Sequence, residues 1–268
     1  MEGVKIVTKY LPSNLKNWLS KKITVSRHNH GQNRVYPEAP WKFSPQLNTL
    51  LDLVQPYSMS DPLRLATLYR MAREISEKGI EGDVVECGVC MGGGSAIMAA
   101  GVTDIGRRVW LYDTFEGIPA PSQHDGAHAQ NFTGHFVGSI NSVREILQKV
   151  RFPGERVMVR KGKFQDTFEE KLPDKVALLH VDADWYDSVL LCLRTFYPLV
   201  ADGGFIVLDD FGHWEGTRKA FYAFSQMYGV EPLLERVGYT QAFWRKGVEH
   251  NRDIMKRFHS GIYYPDAS

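Results

Sequence analysis

The chain has 268 residues, of which 43% are hydrophobic and 24% charged, as in ordinary globular domains. Its net charge is only +1, so it lacks the concentrated basic excess that a nucleic-acid surface requires. No apolar stretch approaches the roughly 20 residues of a membrane-spanning helix, and the N-terminus lacks the apolar region of a secretory signal. Composition therefore predicts one large α/β domain, with or without an added arm, and argues against nucleic-acid binding and a membrane span.

The three cysteines, Cys87, Cys90 and Cys192, cannot all pair within one chain. We interpret them as reduced thiols, which predicts a reducing, cytoplasmic location. The close spacing of Cys87 and Cys90 is also compatible with a redox or zinc site, but no second pair of ligands stands nearby in the sequence. Two small residues that line a tight turn are the favoured interpretation.

Residues 1–45 are predicted to form an N-terminal arm and connector in front of a main domain at residues 46–268. Within the arm, Leu15, Trp18 and Leu19 have helical spacing over 11–23. Such a helix could lie on a membrane surface, but we favour packing on the domain or on a second subunit, which would make the arm a homo-oligomer contact. The polar stretch that follows is punctuated by Gly, Asn and Pro, as is typical of a connector.

From about residue 60 the sequence alternates between helical and strand patterns. Asp61 and Pro62 are suited to the start of a helix over 61–78, and Gly79 is suited to its end. Short apolar runs predict strands at 83–88, 108–113, 156–160, 176–182 and 204–209. Helical patterns fall between them, around 95–104, 139–150, 164–170, 187–200 and 215–228.

Strands that alternate with helices predict βαβ units and a mostly parallel sheet. Residues 232–236 and 241–245 flank Gly238 and predict an antiparallel hairpin at the sheet edge. The expected fold is α/β, with a Rossmann-like, doubly wound, mostly parallel seven-stranded sheet that ends in a C-terminal antiparallel hairpin. This arrangement resembles the class I methyltransferase architecture, whereas a dinucleotide dehydrogenase would more often continue in parallel.

A glycine-rich turn from Glu86 to Ser95 follows the first predicted strand. Its small residues let backbone amides approach a ligand, and a helix N-terminus favours an anionic group such as a carboxylate. We expect Glu86 to face the crevice, and Asp113 ends the second strand where an acid can accept hydrogen bonds from ribose hydroxyls. The pattern resembles the cofactor motif of class I methyltransferases, although Cys90 stands at the middle glycine. It lacks the full G-x-G-x-x-G fingerprint, which argues against a nicotinamide enzyme.

The third predicted strand leads into a turn that contains Gly162, Phe164 and Gln165. A glycine, an aromatic ring and a glutamine at this turn could form a slot for adenine. The equally open alternative is an ordinary strand-to-helix turn with Asp166 near the helix start.

Two pairs of aspartates follow neighbouring strands: Asp182 and Asp184 after the fourth, and Asp209 and Asp210 after the fifth. Neighbouring parallel strands present their C-terminal ends on one edge, so these carboxylates should converge. Converging carboxylates repel one another unless a cation is present, and hard oxygen ligands suit Mg²⁺, Mn²⁺ or Ca²⁺ rather than zinc. Helix capping by Asp187 or Asp210 is the alternative, but it explains one aspartate at each strand end and not two.

Five segments resemble the macrocin O-methyltransferase family: YSMSDP, GDVVECGV, LYDTFEGIP, LLHVDADWYDS and GGFIVLDDFGHWEG. The similarity runs over residues 57–224. That family comprises metal-dependent enzymes that methylate sugar hydroxyls on macrolide and aminocoumarin natural products. The resemblance therefore implies an O-methyltransferase for a small-molecule alcohol or sugar acceptor, with S-adenosylmethionine and Mg²⁺ or Mn²⁺ as cofactors.

The resemblance also implies a role for each candidate residue. Asp184 would be the general base that removes the hydroxyl proton. The metal ligands would be Asp182, Asp209 and Asp210. Met59 would close over the cofactor and Asp113 would bind its ribose. The methionine end would lie at the first turn and the adenine at the third, with contacts from Glu86, Cys87, Gly88, Ser95, Gly162, Phe164 and Gln165.

Three alternative functions remain open from the sequence. Residues 182–184 also fit the D-x-D pattern by which metal-dependent glycosyltransferases hold a nucleotide-sugar, but that pattern does not require Glu86 and Asp113. A phenol or catechol methyltransferase would carry a lysine base where this chain has Trp185, so an aliphatic or sugar alcohol is favoured. A catalytically inactive binding module is the third alternative, and the intact aspartate set argues against it.

The segment at 117–138 is long and rich in Gly, Pro and His, which is typical of a lid or binding loop. We expect it to fold over the cofactor and to shape the acceptor pocket. Its three histidines, His124, His128 and His135, are irregularly spaced, so a second metal site is not favoured. His213, just past the aspartate pair, would either touch the substrate or lie on the surface.

Overall fold

The computed structural model of the protein describes residues 43–247. The predicted arm helix at 11–23 and nearly all of the connector at 24–45 lie outside these residues, as do residues 248–268. The domain boundary near residue 45 and the homo-oligomer contact through the arm therefore stay predictions.

The first described helix, α1 (Pro45–Val54), is not predicted by the sequence pattern. Ser44 Oγ accepts a hydrogen bond from the N–H of Leu47 at 3.3 Å, which caps the helix start. Leu47, Leu51 and Val54 are buried along one face. The first residue of the helix lies at the end of the stretch assigned to the polar connector, so its apolar positions are not interpreted as a helical stripe.

The second helix, α2 (Pro62–Glu77), begins where the sequence predicts, after a 3-10 turn at Gln55–Tyr57. Asp61 Oδ1 accepts hydrogen bonds from the N–H groups of Leu63 at 2.9 Å and Arg64 at 3.1 Å. These bonds satisfy two of the N–H groups that a helix start leaves without partners, so the predicted N-cap is confirmed.

Strands and helices then alternate along the chain. The strands are β1 (Asp83–Cys87), β2 (Val109–Asp113), β3 (Val157–Lys161), β4 (Val176–Val181), β5 (Val200–Leu208), β6 (Glu235–Val237) and β7 (Gln241–Arg245). The remaining helices are α3 (Gly93–Gly101), α4 (Ile140–Lys149), α5 (Phe164–Thr167), α6 (Tyr186–Phe196) and α7 (Glu215–Tyr228). Short 3-10 turns lie at Ala127–Phe132, Gly154–Arg156 and Tyr197–Leu199.

The described residues form one seven-stranded sheet in the order β3-β2-β1-β4-β5-β7-β6. Neighbours among β1 to β5 are parallel, whereas β7 is antiparallel to both β5 and β6. The predicted fold, a doubly wound and mostly parallel sheet with a C-terminal antiparallel hairpin, is confirmed. Chain order reverses between β1 and β4, so a crevice at their C-terminal ends is the expected ligand site.

Several element boundaries differ from the prediction. β5 begins at Val200 rather than at 204, because the strand carries an irregularity. Val176 of β4 pairs with Val200, but Leu178 pairs with Phe205, so extra β5 residues bulge between the two pairs. α6 ends at Phe196 rather than near 200, because Pro198 has no N–H to donate to the carbonyl of Arg194, and the chain continues as the 3-10 turn at Tyr197–Leu199. α5 is also a single short turn rather than a helix over 164–170.

Buried side chains cover both faces of the sheet, and residues that follow one another on a strand lie on opposite faces. Val84 of β1 belongs to the core beneath α1 to α4, and Val85 belongs to the core beneath α6 and α7. Because helices cover both faces of the sheet, polar side chains can lie together at the C-terminal ends of the strands. None of the described helices is long and apolar enough to cross a membrane.

Candidate active site

Carboxylates from the ends of β4 and β5 meet at one edge of the sheet. The N–H of Asp182 donates to the Cys87 carbonyl at 2.8 Å, and the N–H of Asp209 donates to the Val181 carbonyl at 3.0 Å. One carboxylate oxygen from each of Asp182, Asp209 and Asp210 lies within 4.8 Å of the other two. The structure thus brings together the three side chains that the sequence indicates as metal ligands.

Asp184 lies beside this group, where its carboxyl group shares a hydrogen bond with that of Asp210. Trp214 Nε1 donates a hydrogen bond to Asp184 Oδ1 at 2.9 Å, and Thr217 Oγ1 donates to the Asp184 carbonyl at 2.7 Å. The backbone of Asp184 has a φ of 56°, a left-handed conformation that aspartate tolerates better than most residues. Such a conformation is held by its surroundings and is frequent at functional sites.

Most carboxyl groups of this cluster titrate above the ordinary range. Burial, together with the nearby Asp209, raises the pKa of Asp182 well above its usual value. Burial and the neighbouring Asp184 do the same to the pKa of Asp210. Burial, with Asp182 next in importance, raises the pKa of Asp184 to about 7. Like charges at close range disfavour ionisation, so protons occupy part of the cluster when no cation is bound.

Asp209 is the exception, because positive charges face it. Arg64 Nη1 donates to Asp209 Oδ2 at 2.5 Å and to Thr240 Oγ1 at 2.8 Å, while Gln241 Nε2 donates to Asp209 Oδ1 at 2.8 Å. Burial alone would raise the pKa of Asp209, but Arg64 and His180 lower it to about 2. Asp209 is therefore ionised at physiological pH. Sequence reasoning missed both Arg64 and Gln241.

His180 on β4 joins Asp209 to Glu86 on β1. Its Nδ1 lies 3.0 Å from Glu86 Oε1, and its Nε2 lies 3.5 Å from Asp209 Oδ1. Burial alone would lower the pKa of His180, but the nearby carboxylates of Asp209 and Glu86 raise it to about 10. This buried histidine is thus a cation within the site, and the sequence pattern of a buried strand gives no sign of that role.

The expectation that Glu86 faces the crevice is wrong. The side chain is only 2% exposed, and besides His180 it accepts a hydrogen bond from Ser95 Oγ on α3. The period-two alternation of β1 turns Glu86 towards the α3 side of the sheet, where these partners lie. Glu86 therefore organises its neighbours rather than presenting a free carboxylate to a ligand.

Two other predicted cofactor contacts are also buried inside the protein. The Cys87 thiol lies in the core beneath α6, and the Ser95 hydroxyl is fully buried against Glu86. Contacts of the Cys87 and Ser95 side chains with a cofactor are therefore not supported, because neither side chain reaches the open side of the turn. All three cysteines are free thiols.

Asp113, at the end of β2, braces the glycine-rich turn. Its Oδ2 accepts hydrogen bonds from the N–H groups of Val89 at 2.6 Å and Cys90 at 2.7 Å, and its Oδ1 accepts one from Phe115 at 2.6 Å. A carboxylate offers about four acceptor positions, so these bonds leave room for a further donor. If Asp113 binds the ribose as predicted, a ribose hydroxyl can donate only to the acceptor position of the carboxylate that these three bonds leave open.

Glycines let the first turn pass close to its neighbours. Gly88 has a φ of 90°, and the carbonyl oxygen of Asp182 occupies the space into which a Cβ would project. A Cβ on Gly93 would lie 2.7 Å from the carbonyl oxygen of Tyr57, so the segment before α2 lies against the turn. Met59 is on this segment and is 43% exposed. Its predicted contact with the cofactor stays a prediction.

The turn after β3 lies beside Asp113, since the N–H of Gly162 donates to the Asp113 carbonyl at 3.0 Å. The Phe164 ring stacks on Phe168 with a centroid distance of 5.2 Å, and Gln165 is exposed. The structure thus brings this turn near the end of β2, while the ring of Phe164 is engaged in the core. The adenine slot stays a prediction.

The predicted lid loop is closed at its base and packs on two tryptophans. The N–H of Ile118 donates to the His135 carbonyl at 2.9 Å, and the N–H of Gly134 donates to the Ile118 carbonyl at 2.8 Å. On its buried side the loop packs against Trp185, just after β4, and Trp214, just after β5. Both rings adjoin the aspartate cluster along the chain, so the loop covers that edge of the sheet.

Asp125 of this loop caps α6, a role that no local sequence pattern predicts. Its Oδ1 accepts a hydrogen bond from the N–H of Tyr186 at 2.6 Å, and its Oδ2 accepts one from the N–H of Ser122 at 2.7 Å. Asp187 supplies no cap to α6, and the backbone carbonyl of Asp210, not its carboxylate, accepts from the N–H groups that follow. The capping alternative for these aspartates is therefore wrong.

The histidines near the site lie among aromatic rings. His124 stacks on Tyr186 with a centroid distance of 4.2 Å, whereas the rings of His128 and His213 lie 6.3 Å and 4.4 Å from Trp214. Burial, followed by the charge of Arg64, lowers the pKa of His213. His128 and His213 thus both lie next to Trp214, and both side chains are exposed, so the structure places His213 at the surface and its contact with the substrate stays a prediction.

In this sheet β7 lies antiparallel beside β5, whereas β1 to β5 are parallel to one another. Such an antiparallel strand distinguishes the class I methyltransferase fold from a plain dinucleotide-binding fold. Residues 17–246 match the family model described as macrocin O-methyltransferase (TylF). Because the match covers most of the sequence, the chain belongs to the macrocin O-methyltransferase family. The protein is accordingly an O-methyltransferase of the kind that uses S-adenosylmethionine.

Curated relatives carry similar sequences over most of their length. The chain is 29% identical over 202 residues to 8-demethyl-8-(2,3-dimethoxy-alpha-L-rhamnosyl)-tetracenomycin-C 4'-O-methyltransferase of Streptomyces olivaceus, covering 72% of this chain and 76% of the relative. It is 26% identical over 203 residues to mycinamicin III 3''-O-methyltransferase of Micromonospora griseorubida, covering 72% and 79%.

Solved structures share the fold at lower identity. The O-methyltransferase NovP superposes with a TM-score of 0.63 at 24% identity, covering 71% of this chain and 82% of NovP. The calicheamicin methyltransferase CalS11 superposes with a TM-score of 0.59 at 18% identity, covering 83% of this chain and 100% of CalS11. Both comparisons agree with the class I methyltransferase fold.

Proposed function

We propose that this protein transfers the methyl group of S-adenosylmethionine to a hydroxyl of a sugar, or of a sugar-bearing natural product, and that a divalent cation, Mg²⁺ or Mn²⁺, binds at the aspartate cluster. The observation that carries the proposal is the convergence of Asp182, Asp209 and Asp210, with one oxygen of each within 4.8 Å of the others. The names of the relatives support the acceptor class, since one acts on a rhamnosyl-tetracenomycin and another on mycinamicin III.

The donor set fits a hard divalent cation, because carboxylate oxygens are the protein ligands that Mg²⁺ and Mn²⁺ prefer. Two cationic side chains face five carboxyl groups, so the fully ionised cluster would carry a net excess of negative charge. The groups concerned are Arg64 and His180 on one side and Glu86, Asp182, Asp184, Asp209 and Asp210 on the other. A cation bound here would offset that excess and lower the pKa of an acceptor hydroxyl.

We assign Asp184 as the general base. A hydroxyl has a pKa far above physiological pH, so the reaction needs a group that takes the proton as the oxygen attacks. The carboxyl of Asp184 has a pKa of about 7 and shares a hydrogen bond with Asp210, which puts it beside the proposed ligands without making it one of the three. It would accept the proton while the acceptor oxygen attacks the methyl carbon in line, as the bond from that carbon to the sulfonium sulfur breaks and S-adenosylhomocysteine leaves as a neutral thioether.

S-adenosylmethionine supplies a methyl group activated by its sulfonium. α3 begins at Gly93 without a side-chain cap, so its first N–H groups suit the methionine carboxylate. The remaining acceptor position of Asp113 suits a ribose hydroxyl, and the adjoining turn at Gly162, Phe164 and Gln165 would border the adenine. Met59 would cover the pocket from the segment before α2.

The alternatives are less well supported. A metal-dependent glycosyltransferase disagrees with the family to which the chain belongs. A phenol or catechol acceptor is disfavoured because Trp185 stands where such enzymes would carry a lysine base, and its ring is buried. An aliphatic hydroxyl, which needs both a cation and a carboxylate base, suits the cluster better.

The proposal can be tested with the purified protein and methyl-labelled S-adenosylmethionine. Rhamnosylated and other deoxysugar-bearing compounds would be assayed beside a simple catechol, with mass spectrometry to locate the added methyl group. We expect label on a sugar hydroxyl. Methylation of the catechol alone would overturn the acceptor class, and failure to bind S-adenosylmethionine in a calorimetric titration would overturn the whole proposal.

A further inference from the structure

Two tryptophans meet beside the aspartate cluster, and their indole N–H groups have different partners. The rings of Trp185 and Trp214 have a centroid distance of 4.9 Å and an interplanar angle of 68°. Trp214 Nε1 donates to Asp184 Oδ1 at 2.9 Å, whereas Trp185 Nε1 donates to the carbonyl oxygen of Pro119 in the lid loop at 2.7 Å. One indole thus holds the proposed base, and the other holds the lid.

The contact with Trp214 fixes the side chain of Asp184 in a way that suits a base. An indole N–H only donates, so it cannot take up the proton itself, and its hydrogen bond stabilises the ionised carboxylate that a base requires. The bond also restricts rotation of the carboxylate, whose terminal torsion is otherwise broad. Thr217, on the first turn of α7, holds the Asp184 backbone through its carbonyl at 2.7 Å. Side chain and backbone of Asp184 are therefore both held from the β5–α7 connection.

The same tryptophan ring supports the lid loop. Phe132 of the loop meets the Trp214 ring edge-on at a centroid distance of 5.1 Å, and Ile118 and Ala129 are buried in the same cluster. Trp214 itself is 8% exposed. A movement of the loop would therefore change the packing of the Trp214 ring, whose N–H donates to Asp184.

We infer that Trp214 is a positioning residue, whose indole N–H orients the Asp184 carboxylate for proton removal while its ring packs against the loop at 117–138. Trp185 anchors the lid through Pro119 and acts on acceptor binding instead. This inference rests on the proposed role of Asp184 as the base. It predicts that Trp214 affects kcat and that Trp185 affects the KM of the acceptor. If both tryptophans had only a structural role, their substitutions would have the same kinetic effect.

The test compares Trp214→Phe with Trp185→Phe in steady-state methyl transfer. Each substitution keeps an aromatic ring and removes one hydrogen-bond donor. A hydrogen bond to a charged group corresponds to roughly a ten- to hundredfold effect, so we expect Trp214→Phe to lower kcat by that factor with little change in either KM. We expect Trp185→Phe chiefly to raise the KM of the acceptor. Trp244→Phe is the control for loss of buried aromatic volume. Trp244 lies on β7 and packs on Phe221 and Phe224 of α7.

A wild-type kcat in Trp214→Phe, or the same loss of kcat in both tryptophan variants, would overturn the inference. If Trp214→Phe does not fold, a tryptophan isostere with sulfur in place of the indole N–H can be inserted at position 214, and the same fall in kcat is expected. Failure of the base assignment is distinguishable, because Asp184→Asn would then stay active. An inactive Asp184→Asn with an unimpaired isostere variant would refute the role of Trp214 alone.

Discussion

Arg64 Nη1, on α2, donates a hydrogen bond to Asp209 Oδ2 at the end of β5, with a separation of 2.5 Å. The two side chains are 12% and 4% exposed, so this is a buried ion pair inside the acidic cluster. It gives one of the proposed ligands a permanent countercharge, while the other carboxylates keep raised pKa values. The cluster therefore combines one fixed carboxylate with others whose ionisation depends on what binds there.

Replacing Arg64 by methionine should destabilise the metal-free protein by about 3–5 kcal/mol, because the buried carboxylate of Asp209 loses its arginine ion pair. A saturating divalent cation should recover part of that loss, since the cation replaces the missing charge. Urea unfolding with and without Mg²⁺ measures both effects. Arg73→Met is the matched control on the same helix, because its pair with Glu77 is exposed. An equal effect of Mg²⁺ on the Arg64 variant and the wild type would contradict this reasoning.

Asp184→Asn should lower kcat by about 10²–10⁴-fold, the usual range for loss of a general base. Asparagine has nearly the same shape and can still accept the hydrogen bond from Trp214, so affinity for S-adenosylmethionine should be unchanged. Steady-state kinetics and calorimetric titration check the two parts. Asp187→Asn, at an exposed position in the first turn of α6, should behave as the wild type. Near-normal turnover of the Asp184 variant would rule out the base assignment.

Metal affinity should increase as the pH rises from 6 to 8. Burial and neighbouring carboxylates raise the pKa of Asp184 to about 7 and hold the pKa values of Asp182 and Asp210 above their usual range. A cation binds the ionised forms, so binding releases protons and weakens as the pH falls. Calorimetric titration of Mg²⁺ in two buffers with different ionisation enthalpies counts those protons. A pH-independent affinity with no proton release would contradict the pKa argument.

Asp125→Ala should destabilise the protein by about 1 kcal/mol, as is typical for loss of a helix cap, and should also loosen the lid. The reason is that Asp125 joins the N–H of Tyr186 at the start of α6 to Ser122 of the loop. Limited proteolysis within residues 117–138 reports on the lid, and thermal unfolding reports on stability. Ser44→Ala removes a cap from α1 and leaves the lid untouched, so it provides the control. Equal proteolysis of both variants would argue against the dual role of Asp125.

Much of the fold follows from local sequence, for reasons that particular strands make clear. Runs such as Val84-Val85 in β1 and Leu178-Leu179 in β4 are buried on both sides, as parallel strands between helix layers must be. Asp61 caps α2 as expected, since a cap depends only on residues next to it. Where the prediction was wrong, as at the start of β5, the cause is an irregular register with β4 that no local pattern encodes.

The candidate site was predictable only in part. Asp182, Asp209 and Asp210 could be brought together from strand order, because parallel strands end on one edge. The residues that hold Asp209 could not be predicted from the sequence. Arg64 is 145 positions from Asp209, and His180 looks like any polar residue in a strand. The orientation of Glu86 was predicted wrongly for a related reason. The sequence does not reveal that this carboxylate, at the end of a strand, pairs with the buried side chain of His180.

The dependence of methyl transfer on a divalent cation decides whether the aspartate cluster is a catalytic metal site. The protein would be stripped with a chelator, freed of the chelator, and assayed with S-adenosylmethionine and a methylatable sugar acceptor during a titration with Mg²⁺. The expected result is that the stripped protein has little activity, that Mg²⁺ or Mn²⁺ restores it, and that Asp210→Asn needs far more metal for the same rate. Full turnover by the stripped protein, with no response to added metal, would contradict it.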